Sequence, residues 1–282
     1  MKLICDSGST KSAWCLINDT DKHYISTQGI NPFQQTKEEI SAILFRELMP
    51  QLPADARIDI VRFYGAGCTP EKSPIVAEAI RSFVGSNAKI DVQSDLLGAA
   101  IALCGHHPGI VCILGTGSNS AYYDGTNLRS CIPALGYILG DEGSGAYIGK
   151  RLVGDILKNQ FSEDIRNLFF EETKETQASI IQKTYREPLA NRFLASLSPF
   201  CARHRELTEI HDFIIDCFNQ FLKRNIIPMT KALGIDSRTI HFTGSIAYFY
   251  KNEIAEACKT QGFELGNILQ APIEGLVREA TK

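Results

Sequence analysis

Short apolar runs separated by polar turns open the chain and predict a meander of strands. Residues 2–5, 13–18 and 22–27 form three such runs. A polar segment of one acid, one glycine, four hydroxyl residues and a lysine, residues 6–12, lies between the first two. Residues 19–21 make the second turn. A tight hairpin needs only two or three turn residues, so the first turn carries more chemistry than a connection requires.

Helices and strands then alternate. Residues 36–49 follow a helical pattern that begins at Thr36, with Glu39 three places on, and this pair is a capping box. The elements predicted after it are strand 58–64, helix 71–83, strand 88–93 and a helix from Ser94–Asp95 to about Cys104.

The same order starts again near residue 110. Strands are predicted at 110–114, 120–123 and 128–132, with a polar glycine turn at 115–119 between the first two. A helical block over roughly 141–235 follows, and its last helix, 208–233, repeats apolar residues every three or four positions. The remaining predicted elements are strand 239–242, helix 247–259, strand 267–269 and a final helix from Ile273.

This repeat predicts two α/β domains with one plan. Gly8 and Gly117 hold matching places in the two halves. We predict an N-terminal domain at 1–107 and a C-terminal domain with a helical insertion at 108–282. An alternative is that the final helix packs back on the N-terminal domain.

Composition narrows the class of protein. The 282 residues are 44% apolar and 22% charged, with a net charge of −3, which is typical of a soluble globular protein. The sequence has no run of basic residues of the kind that binds nucleic acid. It also has no apolar stretch long enough for a membrane-spanning helix. Asp6 lies where a signal peptide would have its apolar region, so we expect a cytoplasmic protein. The nine cysteines form no C-x-x-C pair, which favours buried free thiols over a metal site.

The two glycine turns are candidate phosphate sites. A glycine leaves backbone N–H groups open to an anion, and Ser and Thr hydroxyls add donors. Lys11 adds a positive charge, and Asp6 can hold Mg²⁺ through water. Neither turn fits a Walker loop or a dinucleotide fingerprint, because a strand follows each one. One such turn alone would favour an ordinary polar hairpin, but two in register favour nucleotide binding.

Three acidic residues either take part in catalysis or binding, or only stabilise the first turn of a helix. Asp95 follows a strand end at a predicted helix N-terminus, where it could act as a general base in phosphoryl transfer. Acids are also common in the first turn of a helix, where they oppose its dipole. Asp141 and Glu142 are predicted to open the next helix, and for Glu142 we favour the purely structural role.

These motifs carry a family resemblance. Asp6-x-Gly8-x-Thr10-Lys11, residues 115–119 and residues 242–245 resemble the phosphate-1, phosphate-2 and adenosine motifs of the sugar kinase/actin/Hsp70 superfamily. Segments 29–32 and 94–99, "GTGSNS" at 115–120 and "GYILGDEGSGAYIG" at 136–149 resemble the N-acetylglucosamine kinase branch of the BadF/BadG/BcrA/BcrD ATPases. The resemblance spans nearly the whole chain. It implies duplicated ribonuclease H-like (actin-like ATPase) domains with a cleft between them.

The resemblance also implies a function and a set of site residues. It implies ATP- and Mg²⁺-dependent phosphorylation of an amino sugar, N-acetylglucosamine to its 6-phosphate, with Asp95 as the base and Asp6 holding Mg²⁺ through water. The implied nucleotide contacts are Asp6, Gly8, Ser9, Thr10, Lys11, Thr116, Gly117, Ser118, Gly244 and Ser245. The implied sugar contacts are Asn31, Asp95, Gly117, Ser118 and Asp141.

Two other functions are alternatives to the sugar kinase. The first is a BadF-type ATPase coupled to electron transfer, which needs an iron–sulfur cysteine spacing that the sequence lacks. The second is a nucleotide-binding regulator or actin-like assembly protein without sugar kinase activity. A small-molecule amino sugar is the expected partner, and a homodimer is left open.

Overall fold

The protein is built from two compact units, each around a five-stranded mixed sheet. The first unit comprises Met1–His107 together with Ala271–Lys282, and the second comprises Pro108–Gln270. The structure is a computed structural model, and it describes residues 1–8, 10–19, 21–130 and 132–281.

The first sheet has the strand order β3-β2-β1-β4-β5. The meander strands β1, β2 and β3 pair antiparallel, whereas β1 pairs parallel with β4 and β4 with β5. A π-helical turn, Leu44–Leu48, continues α1. The elements are β1 (Lys2–Ser7), β2 (Lys11–Asn18), β3 (Asp21–Gln28), α1 (Lys37–Ile43), β4 (Ile60–Gly65), α2 (Ser73–Val84), β5 (Lys89–Ser94) and α3 (Asp95–Cys104).

The second sheet repeats this plan with the strand order β8-β7-β6-β9-β10. Again the first three strands pair antiparallel, and the first, fourth and fifth pair parallel. Its elements and the final helix are β6 (Gly109–Leu114), β7 (Ser118–Tyr123), β8 (Leu128–Arg129), α4 (Gly136–Leu139), α5 (Gly145–Leu157), α6 (Glu163–Thr173), α7 (Gln177–Tyr185), α8 (Ala190–Arg203), α9 (Thr208–Phe221), α10 (Ile227–Leu233), β9 (Thr239–Thr243), α11 (Ser245–Phe249), α12 (Lys251–Thr260), β10 (Glu264–Leu269) and α13 (Ile273–Ala280).

Each unit has its own hydrophobic core. Side chains of β1, β2, β4, α1 and α2 form the first core, with Trp14 and Phe63 among its largest members. The strands β6 and β9 and the helices α5, α8, α9 and α12 form the second. The apolar stripe predicted for residues 208–233 is the buried face of α9. Among the described residues, none of the helices has both the length and the apolar character needed to cross a bilayer.

The final helix, α13, completes the first unit. It packs on α3 so closely that a Cβ at Gly275 would lie 2.7 Å from the Cβ of Ala102. Lys2 Nζ donates to the carbonyl oxygen of Ala280 at 3.0 Å, which ties α13 to β1. The two ends of the chain therefore belong to the same unit.

Two predicted helices are interrupted where tertiary contacts outweigh local pattern. The helix predicted at 208–233 contains a π-helical turn, Leu222–Ile226, between α9 and α10. The helix predicted at 247–259 is divided at Tyr250, whose backbone leaves the helical region. Its buried hydroxyl donates to the carbonyl of Ser198 at 2.7 Å, and this contact with α8 holds the break in place.

The contact between α5 and α8 depends on a single glycine, which gives a stability test. A Cβ at Gly149 would overlap the backbone carbonyl of Leu194, whereas a Cβ at Gly154 in the same helix meets nothing within 4 Å. Gly149→Ala is expected to lower the free energy of unfolding by about 1–3 kcal/mol through overpacking. Gly154→Ala is expected to raise it by about 0.5–1 kcal/mol, because alanine suits a helix interior better than glycine.

Urea unfolding of both variants checks the pair. Equal effects from the two substitutions would contradict the close α5–α8 contact.

Candidate functional site

Some hydroxyl residues of the polar segment between β1 and β2 are buried, and others are exposed to solvent. Ser7 and Ser12 are fully buried strand residues, and their hydroxyl oxygens lie 2.7 Å apart. The backbone N–H of Gly8 donates to the carbonyl of Lys11 at 3.0 Å and closes the turn. Gly8, Thr10 and Lys11 are exposed. Ser9, which is also a predicted nucleotide contact, lies outside the described residues.

The parallel strands bring two aspartates to one edge of the first sheet. Asp6 in β1 is in register with Tyr64 in β4, and the next residue of β4, Gly65, is in register with Ser94 at the end of β5. Asp95 follows as the first residue of α3. Asp6 and Asp95 therefore occupy neighbouring positions at the carboxyl ends of parallel strands, where α/β sheets usually bind ligands.

Both carboxyls have raised pKa values. Burial and the nearby charge of Asp95 raise the pKa of Asp6 from 3.8 to about 7. Burial raises the pKa of Asp95 to about 6, although the backbone N–H groups of Leu96 and Asp95 oppose the shift. Two carboxylates held together away from water resist full ionisation. Each is thus poised to exchange a proton near neutral pH, which suits a general base.

Local packing fixes the position of Asp95. The Ser94 hydroxyl accepts the N–H of Leu97 at 3.3 Å and caps α3. The Leu96 N–H donates to Asp95 Oδ1 at 2.8 Å. A glycine at 98 lets α3 lie directly on β4, since a Cβ there would lie 2.6 Å from the Cβ of Tyr64. The carboxylate is therefore oriented before any ligand arrives.

Asn31 lies at the same edge. Its Oδ1 accepts the N–H of Phe33 at 3.0 Å, and its own N–H donates to Gln35 Oε1 at 2.8 Å. The amide contacts Gly67 in the turn after β4 so closely that a Cβ on that glycine would overlap it. The next residue, Cys68, has a pKa raised to about 12 by burial and by the charge of Asp95. The first unit thus gathers Asn31 with the two aspartates.

In the second unit, the turn between β6 and β7 is tighter than predicted. The N–H of Gly115 donates to the carbonyl of Gly117 at 2.9 Å, and β7 begins at Ser118. The carbonyls of Gly115 and Thr116 accept the N–H groups of Gly145 and Ala146 at 2.8 and 3.1 Å. The turn is therefore fixed against the start of α5.

The prediction that Asp141 and Glu142 open a helix is wrong. Both lie in a loop between α4 and α5, where Asp141 has a φ of +57°. The helix begins at Gly145, and the Ser144 hydroxyl caps it by accepting the N–H of Tyr147 at 3.1 Å. Glycines on both sides of the acids interrupt the helical path, so neither carboxylate caps α5.

Asp141 instead reaches the glycine turn. A Cβ on Gly117 would lie 3.0 Å from Asp141 Oδ2, and the Ser118 N–H donates to the carboxylate. Burial raises the pKa of Asp141, the Ser118 N–H lowers it, and the charges of Glu142 and Lys150 add smaller opposing effects. Thr116, Gly117, Ser118 and Asp141 are thereby brought together, with a carboxylate oxygen against the backbone of the turn.

Glu142 anchors a loop through side-chain contacts and does not start a helix as the sequence pattern predicts. Its buried carboxylate pairs with Arg224 Nε at 2.8 Å and accepts from Asn225 Nδ2 at 3.2 Å. Both partners lie in the π-helical turn of residues 222–226, a type of segment that recurs at functional sites. The motif spacing gives no signal for a partner so far along the chain. The ion pair between Glu142 and Arg224 therefore fixes the loop that carries Asp141.

A small pocket opens beside this loop. Its volume is about 90 Å³. Polar groups and apolar side chains share its wall, among them Asn119, Leu135, Leu139, Asp141, Glu142 and Arg224. Such a mixed wall can bind a polar ring by its hydroxyls and by an apolar face.

Gly244 touches the start of the glycine turn. It has a φ of +111°, and a Cβ there would overlap the carbonyl oxygen of Leu114. Its N–H donates to the carbonyl of Leu269 at 3.1 Å, and the exposed Ser245 begins α11. The preceding Thr243 is buried, and its hydroxyl has no hydrogen-bond partner among the described residues. The residues predicted to contact adenosine therefore adjoin those predicted to contact phosphate.

Comparisons with known proteins identify close structural similarity. A crystal structure of a protein from Porphyromonas gingivalis, described as a putative N-acetylglucosamine kinase, superposes with a TM-score of 0.94 and 43% sequence identity, covering 100% of this chain and 99% of that one. A protein of Chromobacterium violaceum with the same designation gives a TM-score of 0.72 at 16% identity, covering 99% of this chain and 98% of that one.

A more distant structure has the same fold. It is a ROK family glucokinase from Streptomyces griseus, in complex with glucose and AMPPNP. Its TM-score is 0.54 at 13% identity, and the match covers 99% of this chain and 97% of that one. No protein-family model matches the chain, and no curated protein sequence matches it. The predicted fold class, two α/β domains of the actin-like ATPase type, is confirmed.

The aspartate pair predicts how stability changes with pH. Both folded pKa values exceed the ordinary 3.8, so the folded protein binds protons more tightly than the unfolded chain. The free energy of unfolding should therefore fall as pH rises from about 4 to about 7. Asp6→Asn removes one charge, so the variant without ligand should melt at a higher temperature than wild type at pH 8.

Calorimetry at pH 5 and pH 8 measures this effect. The exposed Asp55 supplies a matched control, and Asp55→Asn should leave the difference between the two pH values unchanged. An Asp6→Asn variant that melts below wild type at pH 8 would refute the electrostatic interpretation.

Proposed function

Because the chain belongs to the same family as the Porphyromonas gingivalis protein, with 43% identity over its full length, we propose that it is an ATP-dependent sugar kinase. The proposed substrate is an amino sugar, N-acetylglucosamine, and the proposed product is its 6-phosphate. The compartment we expect is the cytoplasm, where ATP is available.

The observation that carries this proposal is the Asp95 carboxyl at the sheet edge. Its pKa of about 6 leaves it ionised at neutral pH and able to accept a proton. The capped start of α3 orients it, and the positive end of the helix favours its ionised form. Phosphoryl transfer asks a protein mainly for positioning, charge stabilisation and a base that orients the nucleophile. Asp95 supplies that base.

The proposed reaction is a single transfer. The sugar hydroxyl oxygen forms a bond to the γ-phosphorus of ATP as the bond to the β,γ-bridging oxygen breaks. Asp95 accepts the proton that the hydroxyl loses, and ADP leaves with the electron pair of the broken bond. The exclusion of water by the sugar keeps the phosphoryl group from hydrolysis.

The nucleotide contacts follow from the two glycine turns. Exposed N–H groups and hydroxyls of the first turn would bind phosphate oxygens, with Lys11 adding positive charge. In the second unit, Thr116 and Gly117 would meet the γ- and β-phosphates. Gly244, whose lack of a side chain lets it lie against the Leu114 carbonyl, would lie near the nucleoside. The full proposed set is Asp6, Gly8, Ser9, Thr10, Lys11, Thr116, Gly117, Ser118, Gly244 and Ser245.

Mg²⁺ fits the donors at this edge. Among the described residues, no group of three or more metal-binding side chains occurs. A magnesium ion that keeps several waters and binds substrate phosphates needs only one or two carboxylates. Asp6, whose pKa is raised to about 7 by burial and by the charge of Asp95, would hold it through water. When bound, the ion would neutralise charge on the phosphates.

The proposed sugar contacts are shared between turns and acids. The proposed set is Asn31, Asp95, Gly117, Ser118 and Asp141. The Asp141 carboxylate already accepts the Ser118 N–H. An ionised Asp141 can accept hydrogen bonds from two sugar hydroxyls, and the ion pair behind it at Glu142 keeps the loop in place.

A panel of sugars tests the substrate. Wild-type protein with ATP and Mg²⁺ is expected to form ADP faster with N-acetylglucosamine than with glucose or N-acetylmannosamine, and the phosphate should be at O6 by NMR. Hydrolysis of ATP that no sugar accelerates would refute the kinase and favour a bare ATPase. Phosphorylation of another sugar would retain the kinase and refute the named substrate.

Replacement of the base tests the mechanism. Asp95→Asn keeps the shape of the side chain and removes its negative charge, so sugar phosphorylation should fall by roughly 10²–10⁴-fold. ATP binding should persist, because the phosphate contacts come from other residues. The wild-type rate should decrease as pH drops below about 6, when Asp95 takes up a proton.

The Asp95→Asn variant gives a different result if Asp95 has only a structural role. If Asp95 only starts a helix, asparagine should replace it with little effect, because both residues suit helix N-termini. Phosphorylation near the wild-type rate by Asp95→Asn would therefore end the assignment of the base.

A further inference from the structure

The short helix α4 has few contacts of its own to hold it in place. It is four residues long, Gly136–Leu139, and none of those residues is buried. Ile138 and Leu139 are 70% and 67% exposed, and Tyr137 packs only partly against the second core. A helix of this length is unstable on its own in water. Because the loop with Asp141 follows α4 directly, the contacts that hold α4 also determine where that loop begins.

A lysine on α5 supplies such a contact. Lys150 Nζ donates to the carbonyl oxygen of Tyr137 at 2.6 Å and to that of Ile138 at 3.5 Å. The last carbonyls of a helix have no partner within it and need one from elsewhere. Burial lowers the pKa of the Lys150 ammonium, and the charges of Glu142 and Asp141 oppose the shift. The ammonium therefore gives up part of its hydration to join α4 to α5.

The backbone of Asp141 needs support from its surroundings. Its φ of +57° lies in the left-handed region, which costs free energy for a residue other than glycine. Such conformations persist where neighbouring contacts hold them in place. The ion pair between Glu142 and Arg224 fixes the chain just after Asp141, and the Lys150 contact fixes it just before. Asp141 thus lies between two fixed points.

The helix that carries Lys150 also holds the glycine turn. The first two N–H groups of α5 donate to the carbonyls of Gly115 and Thr116 at 2.8 and 3.1 Å. Lys150 belongs to the same helix. One rigid element therefore holds the turn through its N-terminus and the end of α4 through its lysine. The distance between the turn and the loop after α4 depends on both contacts.

We propose that Lys150 is a positioning residue of the sugar site. By joining the end of α4 to α5, it holds the Asp141 carboxylate against the glycine turn, where that carboxylate accepts sugar hydroxyls. The inference rests on the proposed function, because it takes Asp141 as a sugar contact. Lys150 acts through the loop and not on a ligand. Its loss should therefore weaken sugar binding and leave nucleotide binding unchanged.

The kinetics of Lys150→Met test this role. Methionine keeps an unbranched apolar side chain but removes the charge and the donors, so the KM for N-acetylglucosamine should rise by roughly 5- to 100-fold. The kcat should stay within about threefold of wild type, because a contact equally strong in ground and transition states affects KM alone. The affinity for ATP should be unchanged, since the first N–H groups of α5 hold the turn without Lys150.

Two further variants separate the contact from a general effect on α5. Lys150→Arg keeps a charged donor at the same position and should recover most of the affinity for the sugar. Lys158, which is exposed just past the end of α5, provides a matched control. Lys158→Met removes the same groups from the same helix and should leave the KM unchanged.

Hydrogen exchange gives a second measurement that needs no sugar. The N–H groups of Gly140 and Ser144 donate to the carbonyls of Gly136 and Asp141 at 2.8 and 3.0 Å. In Lys150→Met, the amides of Gly140 and Ser144 should exchange faster by roughly 10-fold or more, because the segment opens more often. Exchange in the later turns of α5 should match that of wild type.

The outcomes of these tests are distinct from those of the sugar panel. Faster exchange confined to residues 136–144 would support the positioning role even if no sugar is phosphorylated. Equal losses of affinity for the sugar and for ATP in Lys150→Met would show a general loss of structure and refute the role. An unchanged KM would refute it as well, even if the wild type is a sugar kinase. A Lys150→Arg variant as weak as Lys150→Met would contradict the need for a charged donor.

Discussion

Parallel pairing of the first, fourth and fifth strands in each sheet is the constraint from which both candidate sites follow. Because these strands run in one direction, the residues that follow them emerge at one edge. In the first unit this edge receives Asp6, the turn after β4 and Asp95. In the second it receives the Gly115 turn and Gly244. A register shift of one residue would reverse the faces of every side chain involved.

The repeated plan carries different chemistry in the two units. The residue after β5 is Asp95, whereas the residue after the matching strand β10 is Gln270. Only the first unit therefore places an ionisable acid at that position. The second unit instead has a glycine turn between β6 and β7 that is fixed to α5. The fold is duplicated, and the polar groups at its edges have diverged.

The charges at the first edge are kept at a cost in stability. Two aspartates with raised pKa values oppose folding at neutral pH, because each must lose a proton in surroundings that disfavour its charge. Structural optimisation alone would replace one of them by a neutral residue. Proteins commonly accept such a loss where a site requires it.

Local signals in the sequence were sufficient for most of the fold. The capping box of Thr36 and Glu39 is present with both hydrogen bonds, and the apolar stripe of 208–233 is buried, because such patterns act between close neighbours in the chain. Contacts between distant residues leave no such local pattern. Glu142 and Asn225 are 83 positions apart, and no spacing within either segment indicates that they meet. The inward orientation of Ser7 and Ser12 follows from strand pairing and has no local signal either. The loop at Asp141 does have one, since glycines flank the two acids, and the helical pattern obscures it. The roles proposed for the site residues stay predictions until the variants are measured.

The return of α13 to the first unit affects the order in which the protein can assemble during synthesis. A ribosome releases residues 108–270 before it releases α13, so all the strands and helices of the second unit emerge while the first unit still lacks its last helix. Until then, the face of α3 around Ala102 that receives Gly275 remains uncovered. The unit that is begun first is therefore completed last, contrary to the usual progression from the N-terminus. A nascent chain passes through a stage in which the unit with the phosphate turn of residues 115–117 can be finished and the unit with Asp95 cannot.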